Sequence, residues 1–148
     1  MPEYKFIWFG YSNPAASTAK VRKALNTMLP NLQFPGYVEK ETILGALNGT
    51  DLYIFPTLEE TEGIPIIEAS ACKTNAIVRD IPIFDGWLQD GVDVYKAKDV
   101  DEFEKKIKDF FDGKLPSLTD NAYKVAKDRD LHKIGKDLKK VYEYVMNL

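Results

Sequence analysis

A chain of 148 residues, 45% of them hydrophobic, is long enough for one compact domain with a sizeable core and short for two. Its net charge of -3 and pI near 5.2 exclude the strongly basic face that nucleic-acid phosphates demand. The one cysteine, Cys72, excludes an internal disulfide and suits a reducing cytosol, and neither a membrane-spanning run nor a charged leader before an apolar segment is visible.

In chain order, Lys5 to Gly10 (KFIWFG) is a continuous apolar run ended by glycine and reads as a strand buried on both faces, with Trp8 in the core. Ser12, Asn13 and Pro14 supply turn and cap chemistry ahead of a helix over Ala15 to Leu29, where Val21, Ala24, Leu25 and Met28 recur at helical spacing. Leu32 to Phe34 is a second strand closed by Pro35 and Gly36, and Glu39 to Asn48 a helix stopped by Asn48-Gly49. Asp51 to Phe55 (DLYIF) is a third strand, followed by a loop from Pro56 to Gly63 and a helix opening near Pro65. Asn75 to Arg79 is a fourth strand and the region of Val94 and Tyr95 a short fifth. Three helices follow: Val100 to Phe111, Asp120 to Lys127, and Leu131 to Met146, the last with Leu138, Val141, Tyr142 and Val145 on one side. Short apolar strands separated by helices mean parallel pairing, so the class is α/β, a Rossmann-like doubly wound parallel sheet spanning residues 1–148 as a single domain. Ligands of such sheets sit beyond the carboxyl ends of the strands, where the loop after DLYIF lies.

That loop is acidic. Glu59, Glu60 and Glu62 fall within it, and Glu68 falls in the first turn of the next helix. Loop acids are commonly just solvated, and a glutamate in a first turn complements the helix dipole. The spacing supports a sharper reading. Glu60 and Glu68 bracket TEGIPII, so a loop carboxylate and a helix carboxylate can face one crevice, with the amides of Gly63 and Ile64 between them. Amides that receive phosphate beside carboxylates that accept from sugar hydroxyls suit a nucleotide sugar. Oxygen ligation of a divalent cation is the other use of an acidic loop, but the EF-hand spacing is absent.

The segment Glu60-TEGIPII-Glu68 resembles the Glu-x7-Glu motif of the retaining GT-B glycosyltransferases of family 4. Further matches are GYV at Gly36 to Val38, DLYIFPT before the motif, EASAC after it, RDIPIF at Arg79 to Phe84, and DVDEFEKKIKDFF, so the resemblance covers most of the chain. Through EETEGI, VRDIP and the pair Gly86-Trp87, it is similar to bacterial diacylglycerol glucosyltransferases in particular. The resemblance implies the C-terminal, donor-binding half of a hexosyltransferase that takes glucose or a related hexose from a UDP-sugar to a lipid or saccharide acceptor. It needs no cofactor, since the UDP-sugar is a substrate. Glu68 would bind the ribose hydroxyls and Glu60, as the catalytic carboxylate, would orient the hexose. Gly63, Ile64 and Pro65 would line the turn near hexose and pyrophosphate, and Gly36, Tyr37 and Val38 would lie beside the uracil. Arg79 is either a surface arginine at a strand end or a contact to the donor or to the other lobe. The family's first strand-helix unit of this half, with its pyrophosphate-clamping Arg and Lys, has no counterpart, and neither does the acceptor-binding N-terminal lobe. The expectation is therefore a cytoplasmic enzyme, peripheral to the inner face of the cell membrane, whose 148 residues alone do not turn over. Lys73 and Asn75 stand where many relatives have glycine and proline, which removes a preferred left-handed helix cap.

Other chemistries fare worse. His132 in a Lys-rich terminal helix reads as solvated, Cys72 as core, and the lysines from Lys124 to Lys140 are diluted by Asp128, Asp130 and Asp137. Trp87 is either a lid over the core or a platform near the crevice. Two rival classes remain: a non-catalytic nucleotide or nucleotide-sugar binding module on the same fold, and a flavodoxin-like or receiver-like domain, the latter disfavoured because Asp51 begins its strand rather than ending it.

Overall fold

The computed structural model describes residues 1–11, 13, 15 and 17–148. Ser12 and Pro14, read above as turn and cap residues, lie outside the described residues. The chain divides into two compact units, 1–46 and 47–148, and the division falls inside α2 (Lys40–Gly49).

In the first unit β1 (Phe6–Phe9) pairs in parallel with β2 (Leu32–Gly36), Phe6 opposite Leu32 and Phe9 opposite Gly36, with a register shift between Ile7 and Phe9. The helix between them, α1 (Ala19–Leu25), is shorter than the periodicity predicts. It starts where the Thr18 side chain accepts from the amide of Val21, and it stops at Asn26, after which the Thr27 hydroxyl competes for the carbonyl of Lys23. The expectation of a strand buried on both faces is corrected here. Ile7 is 54% and Trp8 44% exposed, so Trp8 is not a core residue; its ring meets Phe34 edge-on at 5.9 Å. An apolar run shows that a strand can be covered, not that this two-stranded ladder covers it.

The second unit holds the core. Strands β3 (Leu52–Phe55), β4 (Asn75–Arg79) and β5 (Tyr95–Ala97) run parallel in that order. β4 is central, which explains its uninterrupted Ala76, Ile77 and Val78, all buried. A core of Ile66, Val78, Phe84, Leu88 and Val94 is filled from α3 (Ile64–Ala71), β4, a 3₁₀ turn at Pro82–Phe84 and the chain beyond it. α5 (Thr119–Asp128) packs on α3, and α4 (Val100–Phe111) packs on β4 and β5. Asp99 caps α4 by accepting from the Glu102 amide at 2.9 Å, and the Glu102 side chain returns to the Lys98 amide at 2.8 Å. α6 (Leu131–Met146) has the bounds read from the sequence, yet none of its residues is buried, and Leu138, Val141, Tyr142 and Val145 are exposed.

The strand ends are stitched together by Arg79. Its Nε donates to the carbonyl of Pro56 at 3.1 Å and its Nη1 to that of Lys98 at 2.6 Å, joining the exits of β3, β4 and β5. At the end of α3, the amide of Thr74 donates to Ala69 and that of Lys73 to Ser70, a Schellman turn with Lys73 in the left-handed region at φ 57°. The missing glycine therefore leaves the turn in place, with a lysine bearing its steric cost. Asn75 has its own task, accepting from the Leu118 amide at 2.9 Å at the start of α5.

Lys73→Ala and Lys73→Gly both remove the exposed pair with Asp120, but only glycine relieves the left-handed backbone. The glycine variant is expected to exceed the alanine variant in stability by about 1 kcal/mol in urea unfolding, and equal stabilities would contradict this reading of the turn.

Candidate active site in the β3 to α3 turn

The chain leaves β3 at Phe55, and the carbonyl of Pro56 is held at once by Arg79. The loop then turns on Glu60. Its Oε1 accepts from the amide of Thr61 at 2.7 Å and of Glu62 at 3.3 Å. These bonds, that of Thr61 foremost, outweigh desolvation and hold the Glu60 carboxyl below the usual carboxylate range, so it is anionic at neutral pH.

Gly63 is buried, at φ +75°, and is the N-cap of α3. A side chain is excluded twice, by the backbone and by Phe84 and Trp87, whose ring atoms lie 3.0 to 3.2 Å from where a Cβ would stand. The Gly63 carbonyl accepts from the amides of Ile66 at 2.9 Å and Ile67 at 3.2 Å. Pro65, second in the helix rather than first, has no N–H to leave unpaired. Ile64 opens α3, and among the described residues its N–H has no partner. Its side chain is 53% exposed. The unpartnered amide of Ile64 at the positive end of a helix, close in sequence to a fixed carboxylate, is thus what the turn presents.

Glu68 lies in the second turn of α3, not the first, because the helix begins at Ile64. It is half-buried and shares an electrostatic neighbour with Glu60. Burial above all, then the charge of Glu68, then that of Glu60, pushes the phenol of Tyr53 up to about 12. Tyr53 stacks on Phe55 with centroids 6.0 Å apart and packs against the core. The two carboxylates of the motif therefore act on one phenol. Tyr53 was not singled out by the sequence, although it alternates with Leu52 and Ile54 in DLYIF and so shares a strand face with Phe55.

The remaining residues divide. Gly36, at φ +77°, Tyr37 and Val38 belong to the first unit, where the Gly36 carbonyl accepts from Gly10 at 2.9 Å and Tyr37 is exposed. Arg79 belongs to the second and spends two donors on carbonyls. His132 is exposed, and half-buried Cys72 accepts from Asn48 at 3.7 Å. A separate cleft of about 990 Å³ is lined by Asp80, Asp85, Trp87, Lys96 and Lys106, and none of Glu60, Gly63, Ile64 and Glu68 reaches it. Its charges are largely mutual, Lys96 pairing with Asp85 at 3.4 Å and Asp80 at 3.9 Å. Among the described residues no group of three His, Cys, Asp or Glu side chains is placed to hold a metal ion.

Comparison with known proteins gives one consistent picture. A family model described as glycosyl transferases group 1 matches residues 2–129. The chain is 38% identical over all of its 148 residues to the processive diacylglycerol alpha-glucosyltransferase of Acholeplasma laidlawii, of which it spans 45%. Its fold is that of the Anabaena protein HepE in complex with UDP-glucose, with a TM-score of 0.81 at 16% identity over 97% of this chain and 42% of that one. It also matches the C-terminal domain of a glycosyl transferase group 1 family protein from Francisella tularensis, with a TM-score of 0.67 at 16% identity, covering 84% of this chain and 85% of that domain.

The neutral Tyr53 phenol contributes stability below its ordinary value of 10.0, and that contribution is lost as pH rises from 10.0 toward about 12. Carbon-13 NMR of labelled tyrosine is expected to show Tyr53 as a late-titrating ring whose midpoint falls in Glu68→Gln. A midpoint unmoved by that change would separate Glu68 from Tyr53.

Proposed function

The chain belongs to the group 1 glycosyl transferases, and on that premise we propose that it is the donor-binding part of a retaining hexosyltransferase that moves glucose or a related hexose from a UDP-sugar to a lipid or saccharide acceptor. The observation that carries the reading is the Glu60 carboxylate, fixed by the amides of Thr61 and Glu62 just ahead of the α3 start, where the Ile64 N–H has no partner among the described residues, with Glu68 on the same helix.

In this reading the α3 N-terminus faces the diphosphate, and the Ile64 N–H donates to it as negative charge grows on the leaving UDP. Glu68 accepts from the ribose hydroxyls. Glu60, already fixed by the amides of its own loop, accepts from a hexose hydroxyl and sets the sugar ring for attack at its anomeric carbon. Arg79 serves the donor through Pro56, whose position fixes where the Glu60 loop begins. The UDP-sugar is a substrate and no cofactor takes part.

Acceptor binding comes from a further lobe, and the basic groups that neutralise the diphosphate come from the first strand-helix unit of the donor half, a reading supported by the 45% of the Acholeplasma relative that this chain spans. That relative's name points to a diacylglycerol acceptor, hence to work at the inner face of the cell membrane; among the described residues no helix is long and apolar enough to cross one.

Titration calorimetry with UDP-glucose is expected to show weak binding, reduced about tenfold or more in Glu68→Gln, because a charge-assisted hydrogen bond contributes about 1.5–3 kcal/mol. An unchanged affinity would contradict the assignment. Incubating the 148-residue chain with UDP-glucose and diacylglycerol is expected to give no transfer, and steady turnover would contradict the need for a second lobe.

A further inference from the structure

Trp87 follows the 3₁₀ turn at Pro82–Phe84 and is held on three sides. Its Nε1 donates to the carbonyl of Ile83 at 2.7 Å, and its ring meets Phe84 edge-on, with centroids 5.7 Å apart and planes at 67°. The guanidinium of Arg129, at the end of α5, lies 4.2 Å from the ring centroid, and Arg129 Nη1 donates to the carbonyl of Val125 at 3.4 Å. The outer edge of the ring faces Gly63. A Cβ on Gly63 would stand 3.1 Å from Cζ2 and 3.2 Å from Cη2 of Trp87.

Gly63 is the pivot of the candidate site. It directly follows the residues whose amides fix Glu60, its carbonyl accepts from Ile66 and Ile67, and the next amide, that of Ile64, has no partner among the described residues. A wall behind this residue fixes the aim of both groups. We infer that Trp87, braced by Arg129, is a positioning residue for the donor site: its ring edge holds the Gly63 turn and thereby sets the Ile64 N–H and the Glu60 carboxylate relative to each other. The inference rests on the reading that these groups grip a UDP-sugar. Trp87 is then neither a mere lid over the core nor a platform in the crevice, but the back wall of the turn. Phenylalanine cannot replace it, since Cζ2 and Cη2 belong to the part of the indole that phenylalanine lacks. Arg129 acts one step further back, through a cation–π contact with the ring.

The test uses the whole chain, with UDP-glucose affinity from calorimetry and the nitrogen-15 amide signals of Gly63 and Ile64 from NMR. Trp87→Leu is expected to weaken binding about tenfold and to shift both signals, because small misplacements of binding groups are costly. Arg129→Ala is expected to weaken it about threefold, the size of an exposed cation–π contact, and Arg129→Lys to restore most of the loss. Ile107→Val, a buried change in α4, lowers the melting temperature and is expected to leave affinity and both signals alone, which separates positioning from general destabilisation. If Trp87→Leu does not fold, the two Arg129 variants decide the matter. Unchanged affinity and unchanged signals in the Trp87 and Arg129 variants, with Glu68→Gln still weakening binding, would overturn the inference and leave the donor-site reading standing. No binding of UDP-glucose by the wild-type chain would overturn both.

Discussion

The amide donors of Thr61 and Glu62 converge on the carboxylate of Glu60, and the arrangement of the whole site depends on that convergence. A loop leaving a parallel strand has several amides to satisfy and little secondary structure to do it with. Here one anionic side chain accepts them, which closes the turn, sets Gly63 in its left-handed conformation and starts α3 one residue later. The carboxylate keeps its charge in the process, since bonds to its ionised form hold its proton affinity down. A group fixed in place and charged at neutral pH is suited to orienting a polyhydroxylated ligand.

The rest of the second unit supports this turn from behind. Arg79 secures its entry by binding Pro56, Phe84 and Trp87 back its pivot, and the buried Ile66 anchors α3 to the core below. These contacts come from three separate stretches of chain, the end of β4, the loop after it and α3 itself, and Arg129 at the C-terminal end of α5 lies over the Trp87 ring. That distribution explains how a flexible-looking acidic loop can hold side chains in fixed positions. The charged cleft around Lys96 is a poorer candidate for chemistry, because its lysine and aspartates are largely matched to one another.

Much of this was legible in the sequence, and the reasons differ from element to element. β4 reads as a strand of a parallel sheet because NAIVR is short and largely apolar, and α4 has the bounds read from the sequence, Val100 to Phe111, with Phe103 and Ile107 buried. The bracketing of a Gly-Ile-Pro helix start by Glu60 and Glu68 is read directly from the sequence, and α3 does start at Ile64. What could not be read were contacts between distant segments. Nothing local joins Trp87 to Gly63, or Arg79 to the carbonyls of Pro56 and Lys98. Periodicity also shows which residues share a face without showing whether anything covers it, so Trp8 and the apolar side of α6 were expected to be more enclosed than they are. At Lys73 the composition signalled a lost glycine cap, while the Schellman hydrogen bonds of Thr74 and Lys73 preserve the turn regardless.

The central claim is that the Glu60 to Glu68 turn grips the nucleotide sugar, and a crystal structure of this chain soaked with UDP-glucose tests it most directly. The account predicts the diphosphate against the Ile64 amide, the ribose on Glu68 and the hexose on Glu60. Density for the ligand in the Lys96 cleft, or anywhere away from the start of α3, would contradict it.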